Sequence, residues 1–104
     1  MGTKINLAEI RFRSNSYVAR LAAWLMRSSS CALVIGRTIH LHGASETDLI
    51  NNQAWLNHEL AHVAQYQRYG ILNFLIRYGW YSLRYGYYNN PLEIEARGAE
   101  RRSI

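Results

Sequence analysis

The feature that most constrains this chain is the pattern His-Glu-x-x-His at His58, Glu59 and His62, within residues 56–69, LNHELAHVAQYQRY. The spacing of apolar residues in this segment predicts a helix. Residues four apart lie on the same face of a helix, so the imidazoles of His58 and His62 can converge on one point. Two neutral imidazoles in this arrangement favour zinc. Glu59 is turned about 100° from His58, which directs it toward a water on the metal rather than the metal itself.

A zinc ion that activates water usually has three protein ligands, so the chain has to supply one more donor. Downstream of the motif there is no further His, Cys or Asp, and the strong candidates are Glu93, Glu95 and Glu100. The segment NNPLEIEARGAE predicts a helix with Asn90 at the N-cap and Pro91 at the first position. Glu93 and Glu95 point about 200° apart on such a helix, so only one of them can face the metal. We take Glu93 as the third ligand, with Glu95 as the alternative.

HELAH followed by NPLEIEA resembles the gluzincin metallopeptidases, in particular short bacterial HExxH domains of the thermolysin-like and HtpX-like type. The resemblance implies that Glu93 is the third ligand, with Ala96 in register. The family has an Asp four residues after this Glu that orients a ligand histidine, and here that position is Arg97. Either another group orients the histidine or metal binding is weakened.

The function that follows from the resemblance is a zinc-dependent metallopeptidase, a hydrolase acting on a peptide or protein substrate. His58, His62 and Glu93 bind Zn²⁺, and Glu59 takes a proton from the bound water and passes it to the leaving amine. Tyr85, Tyr87 and Tyr88 directly precede the predicted ligand helix, and such a hydroxyl can donate a hydrogen bond to the oxyanion. We take Tyr85 and Tyr88 as candidate catalytic residues.

The predicted architecture is a single α+β domain over residues 1–104, a minimal gluzincin-like domain of three or four helices and a small antiparallel sheet. We expect a strand near residues 4–13, a helix over 17–27, and a hairpin formed by residues 30–35 and 37–42 around Gly36. The resemblance implies that residues 37–42 form an edge strand that pairs with a substrate peptide.

Two further helices are predicted around the motif. One begins at Ser45, and if it continued to Tyr69 it would be roughly 36 Å long, about the diameter of the whole domain. We therefore expect an interruption near Asn51 and Asn52. The other covers residues 71–88, is apolar on most sides, and crosses the motif helix.

The chain is basic, with a formal charge of +5, and eleven of its twelve basic residues are arginine. Such a balance favours anionic partners. Because arginines alternate with tyrosines near residues 68–88, the alternative function is a non-catalytic, metal-stabilised or metal-free binding module whose basic Tyr/Arg-rich surface binds nucleic acid or an anionic membrane.

The lone cysteine, Cys31, cannot form an intrachain disulfide. The N-terminal residues lack the apolar segment of a signal peptide, and no stretch is long enough to span a bilayer. These observations favour a cytoplasmic location.

Overall fold

A computed structural model describes residues 9–25 and 29–101. Within these ranges the chain forms three strands and five helices. In chain order they are β1 (Arg11–Arg13), α1 (Tyr17–Leu25), β2 (Cys31–Ile35), β3 (Thr38–His42), α2 (Glu46–Ile50), α3 (Gln53–Tyr69), α4 (Ile71–Tyr85) and α5 (Pro91–Ala99). The predicted α+β class is confirmed, with five described helices where three or four were expected. Residues 4–8 of the strand predicted over 4–13, and residues 26–27 of the helix predicted over 17–27, lie outside the described residues.

The three strands form a mixed sheet in the order β1-β3-β2. β2 and β3 are the predicted antiparallel hairpin, in a register that pairs Cys31 with His42 and Ile35 with Thr38. β1 pairs parallel to β3, with Arg11 opposite Thr38. A parallel pair needs a crossover connection, and α1 supplies part of it, which is why the sheet is mixed rather than wholly antiparallel.

β3 is the central strand of this sheet, so the expectation that residues 37–42 form an edge strand was wrong. Its main-chain groups pair with β2 along the whole strand and with β1 over Thr38–His40. A strand occupied on both sides cannot pair with a peptide by strand addition.

The predicted interruption near Asn51 and Asn52 is confirmed, since α2 and α3 are separate helices. α2 begins with a capping box in which Ser45 and Asp48 exchange hydrogen bonds. Asn52 then caps α3, its side-chain oxygen accepting from the backbone N–H of Trp55 at 3.1 Å. Each cap satisfies backbone donors that a helix start leaves free, which is why the chain restarts a helix here.

α4 lies between two glycines with positive φ, Gly70 at 80° and Gly86 at 82°. This left-handed region suits glycine, so the helix ends at Tyr85 and does not extend to residue 88 as predicted. Phe74 is the buried residue of α4. The helix therefore lies on the surface of the domain and contributes little to the core.

The core lies between the sheet and α3, which packs against β2, α4 and α5. Its buried apolar side chains come from the residue before β1, from β2 and β3, and from α2 to α5: Ile10, Val34, Ile39, Leu41, Leu49, Leu56, Val63, Tyr66, Phe74 and Leu92. α3 is thus held by its neighbours on several sides. None of the helices among the described residues has the length and apolar character needed to cross a bilayer.

Candidate metal centre

Two helices bring the candidate ligands together. α3 carries His58 and His62 one turn apart, and α5 packs against α3 and carries Glu93 near its first turn. Asn90 fixes the start of α5: its Oδ1 accepts from the N–H of Leu92 at 2.9 Å, and its Nδ2 donates to Ser82 Oγ at 2.9 Å in α4. Because Asn90 is fully buried, this link sets the position of Glu93 relative to α4.

The donor atoms converge on one point. Glu93 Oε1 lies 3.1 Å from His58 Nε2 and 3.3 Å from His62 Nε2. One potential ligand atom from each of these three residues lies within 4.8 Å of the others. Tetrahedral coordination with bonds of about 2.0–2.1 Å places neighbouring donors about 3.3 Å apart. The two distances from Glu93 to the imidazoles are therefore compatible with a zinc ion held by these three residues.

The other nitrogen of each imidazole has its own partner. His58 Nδ1 lies 2.6 Å from Glu100 Oε2, and His62 Nδ1 lies 2.9 Å from Gln65 Oε1. Gln65 Nε2 donates to the carbonyl of Leu92 at 2.9 Å, which leaves Oε1 to face His62. When the imidazoles are neutral, both acceptors hold the proton on Nδ1, and each Nε2 then presents a lone pair to the common point.

Glu100, and not the residue at position 97, is the carboxylate that orients His58. It lies seven residues after Glu93, about two helical turns along, and so returns to the same side of α5. Arg97 instead donates to the carbonyl of Tyr88 and lies 4.0 Å from the centre of that ring. The i+7 spacing from Glu93 is the sequence signal that could have identified Glu100 as the orienting group.

Glu95, the alternative ligand, lies outside the donor cluster. Its carboxylate accepts from Gln65 Nε2 at 2.7 Å and from Arg68 Nη2 at 3.4 Å. Its carboxylate is therefore bonded to Gln65 and Arg68 and not to the histidines. This agrees with the prediction that Glu93 and Glu95 point in nearly opposite directions on the helix.

The metal-free cluster has strongly shifted pKa values. Burial disfavours charge on His58, but its hydrogen bonds to Glu93 and Glu100 outweigh that effect and raise its pKa to about 9. Burial likewise opposes protonation of His62, whose pKa is nonetheless raised, chiefly by Glu93. For Glu93 burial favours the neutral acid, yet the hydrogen bonds from both histidines hold its pKa well below the usual range. In the metal-free protein these pKa values favour protonated imidazoles, whose Nε2–H groups donate to Glu93.

Tyr78 of α4 is a site residue that sequence reasoning did not identify. Its hydroxyl donates to Glu93 Oε2, which leaves Oε1 directed at the histidines. Burial, and then this hydrogen bond, raise the pKa of Tyr78 far above its ordinary value, so it stays a donor. The available signal in the sequence was that Tyr78 lies on the face of α4 opposite its exposed apolar side chains.

A cleft of about 240 Å³ reaches this centre. It lies between α1, β2 and α4, and most of its lining is apolar, including Ala22, Leu33, Val34, Phe74 and Leu75. Glu59 lines it together with the candidate ligands. Burial raises the pKa of Glu59 to about 7, although the neighbouring histidines oppose the shift.

The two tyrosines taken as catalytic candidates are not brought to this centre. Tyr85 is 49% exposed and Tyr88 is 70% exposed, and neither lines the cleft. Tyr85 is the last residue of α4, and Tyr88 lies in the connection between α4 and α5. Tyr87 does line the cleft beside Glu59.

The fold and the donor set define the class as a small α+β domain with a buried His-His-Glu centre between two helices. The sequence model of the eCIS core domain matches residues 1–70, more than half of the chain. The chain therefore belongs to the eCIS core domain family, whose name refers to extracellular contractile injection systems. The matched stretch contains His58 and His62 and ends before α4. No curated protein and no solved structure matches the chain.

The interpretation of the chain as a gluzincin-type zinc metallopeptidase was wrong, because the family that matches is an injection-system core domain and not a peptidase family. The predicted hydrolase activity, the peptide substrate, the general-base role of Glu59 and the catalytic roles of Tyr85 and Tyr88 belonged to that interpretation. The physical reason for the error is that the His-Glu-x-x-His pattern specifies which donor atoms meet. It does not specify a reaction, since function depends on the whole site and the same ligands also hold structural metals.

Proposed function

We propose that this chain is a zinc-stabilised, non-catalytic binding domain that associates with other components of an extracellular contractile injection system. The observation that carries the proposal is the convergence of His58, His62 and Glu93 within 4.8 Å, with each imidazole hydrogen-bonded at its outer nitrogen. Membership of the eCIS core domain family supports the assignment to an injection system.

The donor chemistry supports zinc as the metal. Two imidazole nitrogens and one carboxylate oxygen suit this ion, and orienting hydrogen bonds of the kind made by Glu100 and Gln65 raise ligand basicity. His62 and Glu93 are 31 residues apart in sequence. A metal held by both would tie α5 to α3, so that part of the free energy of metal binding becomes free energy of folding.

A binding role rather than catalysis is supported by the sheet and by the aromatic residues. β3, the strand expected to pair with a peptide, is paired on both sides, and Tyr85 and Tyr88 do not line the cleft. The cleft beside the centre is mostly apolar, which suits the docking of a partner's side chains more than the stabilisation of developing charge.

The zinc part of the proposal is tested by unfolding the chain in urea with zinc and with a chelator. Zinc at a thousand times its dissociation constant should stabilise the wild type by about 4 kcal/mol. Glu93→Gln should lose most of this gain. Glu46→Gln is the matched control, because it makes the same change at the exposed start of α2, and it should keep the gain. Equal stability with zinc and with chelator in the wild type would contradict the proposal.

The association is tested on injection-system particles purified from cells that produce both the particles and a tagged chain. The wild type and Glu59→Gln should co-purify with the particles to the same extent, because the proposed role needs no general base. Glu93→Gln should co-purify less, because its zinc site is incomplete. A chain that never accompanies the particles, or an association abolished by Glu59→Gln, would contradict a non-catalytic binding role.

A further inference from the structure

The outer face of α4 carries large apolar side chains that no other described residue covers. Leu72, Ile76, Trp80 and Leu83 are 72%, 62%, 59% and 81% exposed. Steps of four, four and three residues place them in one line along the helix, which we call the outer stripe. Phe74, on the opposite side of α4, is the residue that anchors the helix to the core. α4 is therefore apolar on two faces, one of them open.

The charge beside the outer stripe is entirely positive. α4 contains Arg77 and Arg84 and no acidic residue. The two arginines are seven residues apart, so they lie on the same flank. Arg77 is held there by a hydrogen bond from its Nε to Asn73 Oδ1 at 3.1 Å and by the ring of Tyr69, whose centre is 4.6 Å from its guanidinium.

Six of the seven acidic side chains are engaged elsewhere, and the seventh, Glu9, is exposed just before β1. Glu59 and Glu93 are buried at the candidate metal centre, and Glu95 and Glu100 pair with Arg68 and His58. The acidic residues of α2 lie in its first turn, where they cap and complement that helix. This separation leaves the surface around α4 cationic and apolar together.

A second helix beside the cleft has the same character. α1 exposes Tyr17, Leu21 and Trp24 and contains Arg20 but no acidic residue. Ala22 of α1 and Leu75 of α4 line the same cleft, so the two helices stand on its two sides. Two neighbouring helices with exposed tryptophan, aliphatic side chains and arginine favour a broad partner surface.

The outer stripe could contact a second copy of the chain, a nucleic acid or a lipid surface, and its arginines and apolar side chains distinguish these partners. A second copy meeting the stripe of the first would bring four arginines together with no carboxylate. Nucleic acid would pair with the arginines and stack on Trp80, but it offers nothing apolar to Leu72, Ile76 and Leu83. An anionic lipid surface suits all of these groups: hydrocarbon for the aliphatic side chains, the headgroup region for tryptophan, and phosphates for arginine.

We propose that the outer stripe of α4 docks on the surface of a membrane that contains anionic lipids, with Trp80 at headgroup level and Arg77 and Arg84 against lipid phosphates. The stripe is roughly 16 Å long, so the helix lies along the surface and does not cross it. This surface is separate from the metal centre and goes beyond the proposed function.

The test uses the full, zinc-loaded chain and vesicles of phosphatidylcholine with or without phosphatidylglycerol, separated by flotation. The wild type should bind vesicles containing phosphatidylglycerol at least tenfold more tightly than phosphatidylcholine alone, and salt should weaken the binding. Ile76→Glu combined with Leu83→Glu should reduce binding more than tenfold. Both positions are exposed, and circular dichroism together with zinc content checks that the fold and the metal centre are unchanged.

Ile50→Glu is the matched control, because Ile50 is an exposed aliphatic residue on α2 and the substitution adds the same kind of charge. It should bind vesicles almost as the wild type does. Arg77→Gln with Arg84→Gln should lower binding to phosphatidylglycerol vesicles and flatten the salt dependence.

Three results would overturn the membrane proposal: equal binding to both vesicle types, no binding to either, or a loss of binding in Ile50→Glu as large as in the stripe variant. A dimer in analytical ultracentrifugation that Ile76→Glu dissociates, without vesicle binding, would assign the stripe to a second copy. Binding of an oligothymidylate that depends on Ile76, again without vesicle binding, would assign it to nucleic acid. Zinc binding measured on the same variants separates each of these outcomes from failure of the metal centre.

Discussion

At the scale of single residues, the candidate ligands are oriented by hydrogen bonds with three neighbouring side chains. Glu100 and Gln65 accept hydrogen bonds from the outer nitrogens of His58 and His62 and so fix the direction of both lone pairs. Tyr78 does the same for Glu93 by occupying its second oxygen. The centre is therefore organised before any metal arrives, which limits the reorganisation that binding requires.

Glu100→Gln should weaken zinc binding about 10- to 100-fold, because a neutral amide is a poorer partner for the His58 N–H than a carboxylate. The affinity is measured by competition with a chromophoric chelator. Glu46→Gln makes the same change on an exposed helix start and should leave the affinity unaltered. Equal affinities for Glu100→Gln and the wild type would show that Glu100 does not orient the ligand.

The sequence predicted His58 and His62 as a pair, because helical spacing decides which side chains share a face. It predicted Glu93 because few other donors follow the motif and because of the resemblance to the gluzincins. It did not predict Glu100 or Tyr78, because their roles depend on how α5 and α4 approach α3. Nor could the motif predict the function, since a set of donor atoms is compatible with catalysis and with a structural metal alike.

At the scale of elements, short local signals account for most helix boundaries. The Asn90-Pro91 start of α5 followed from capping chemistry, and the interruption near Asn51 and Asn52 followed from the length that an unbroken helix would have. The parallel pairing of β1 with β3 did not, because strand order is decided by packing between distant segments and not by local pattern. Likewise the end of α4 at Tyr85, rather than at residue 88, coincides with the positive φ of Gly86.

Asn90→Ala should destabilise the domain by about 2–4 kcal/mol, because it removes the α5 cap and leaves buried partners unpaired. It should also weaken zinc binding, since α5 carries Glu93. Asn52→Ala removes an exposed cap on α3 and should cost only about 1 kcal/mol. Urea unfolding and zinc titration of both variants check this. A similar small loss in both would mean that the buried hydrogen bonds of Asn90 contribute little.

At the scale of the whole molecule, the proposed zinc site would make protons and zinc compete for one centre between α3 and α5. The folded-state pKa of His58 is raised to about 9 from an ordinary value of 6.5. Its contribution to the stability of the metal-free protein is therefore fully present below about pH 6.5 and is lost as the pH rises through about 9. Zinc, which needs neutral imidazoles, gains over the same range.

We accordingly expect zinc affinity to increase about tenfold per pH unit between pH 6 and 8 for each proton displaced. Over the same range the metal-free protein should become less stable in urea. Both are measured on one preparation, with and without chelator. An affinity independent of pH over this range would contradict the proton occupancy inferred for the centre.

The most direct test of the account is an anomalous difference map recorded at the zinc absorption edge from crystals grown with zinc. We predict one strong peak at about 2.0–2.2 Å from His58 Nε2, His62 Nε2 and a carboxylate oxygen of Glu93. A map without a peak at that point, or with zinc bound only elsewhere on the chain, would contradict the central claim that these three residues form a metal centre.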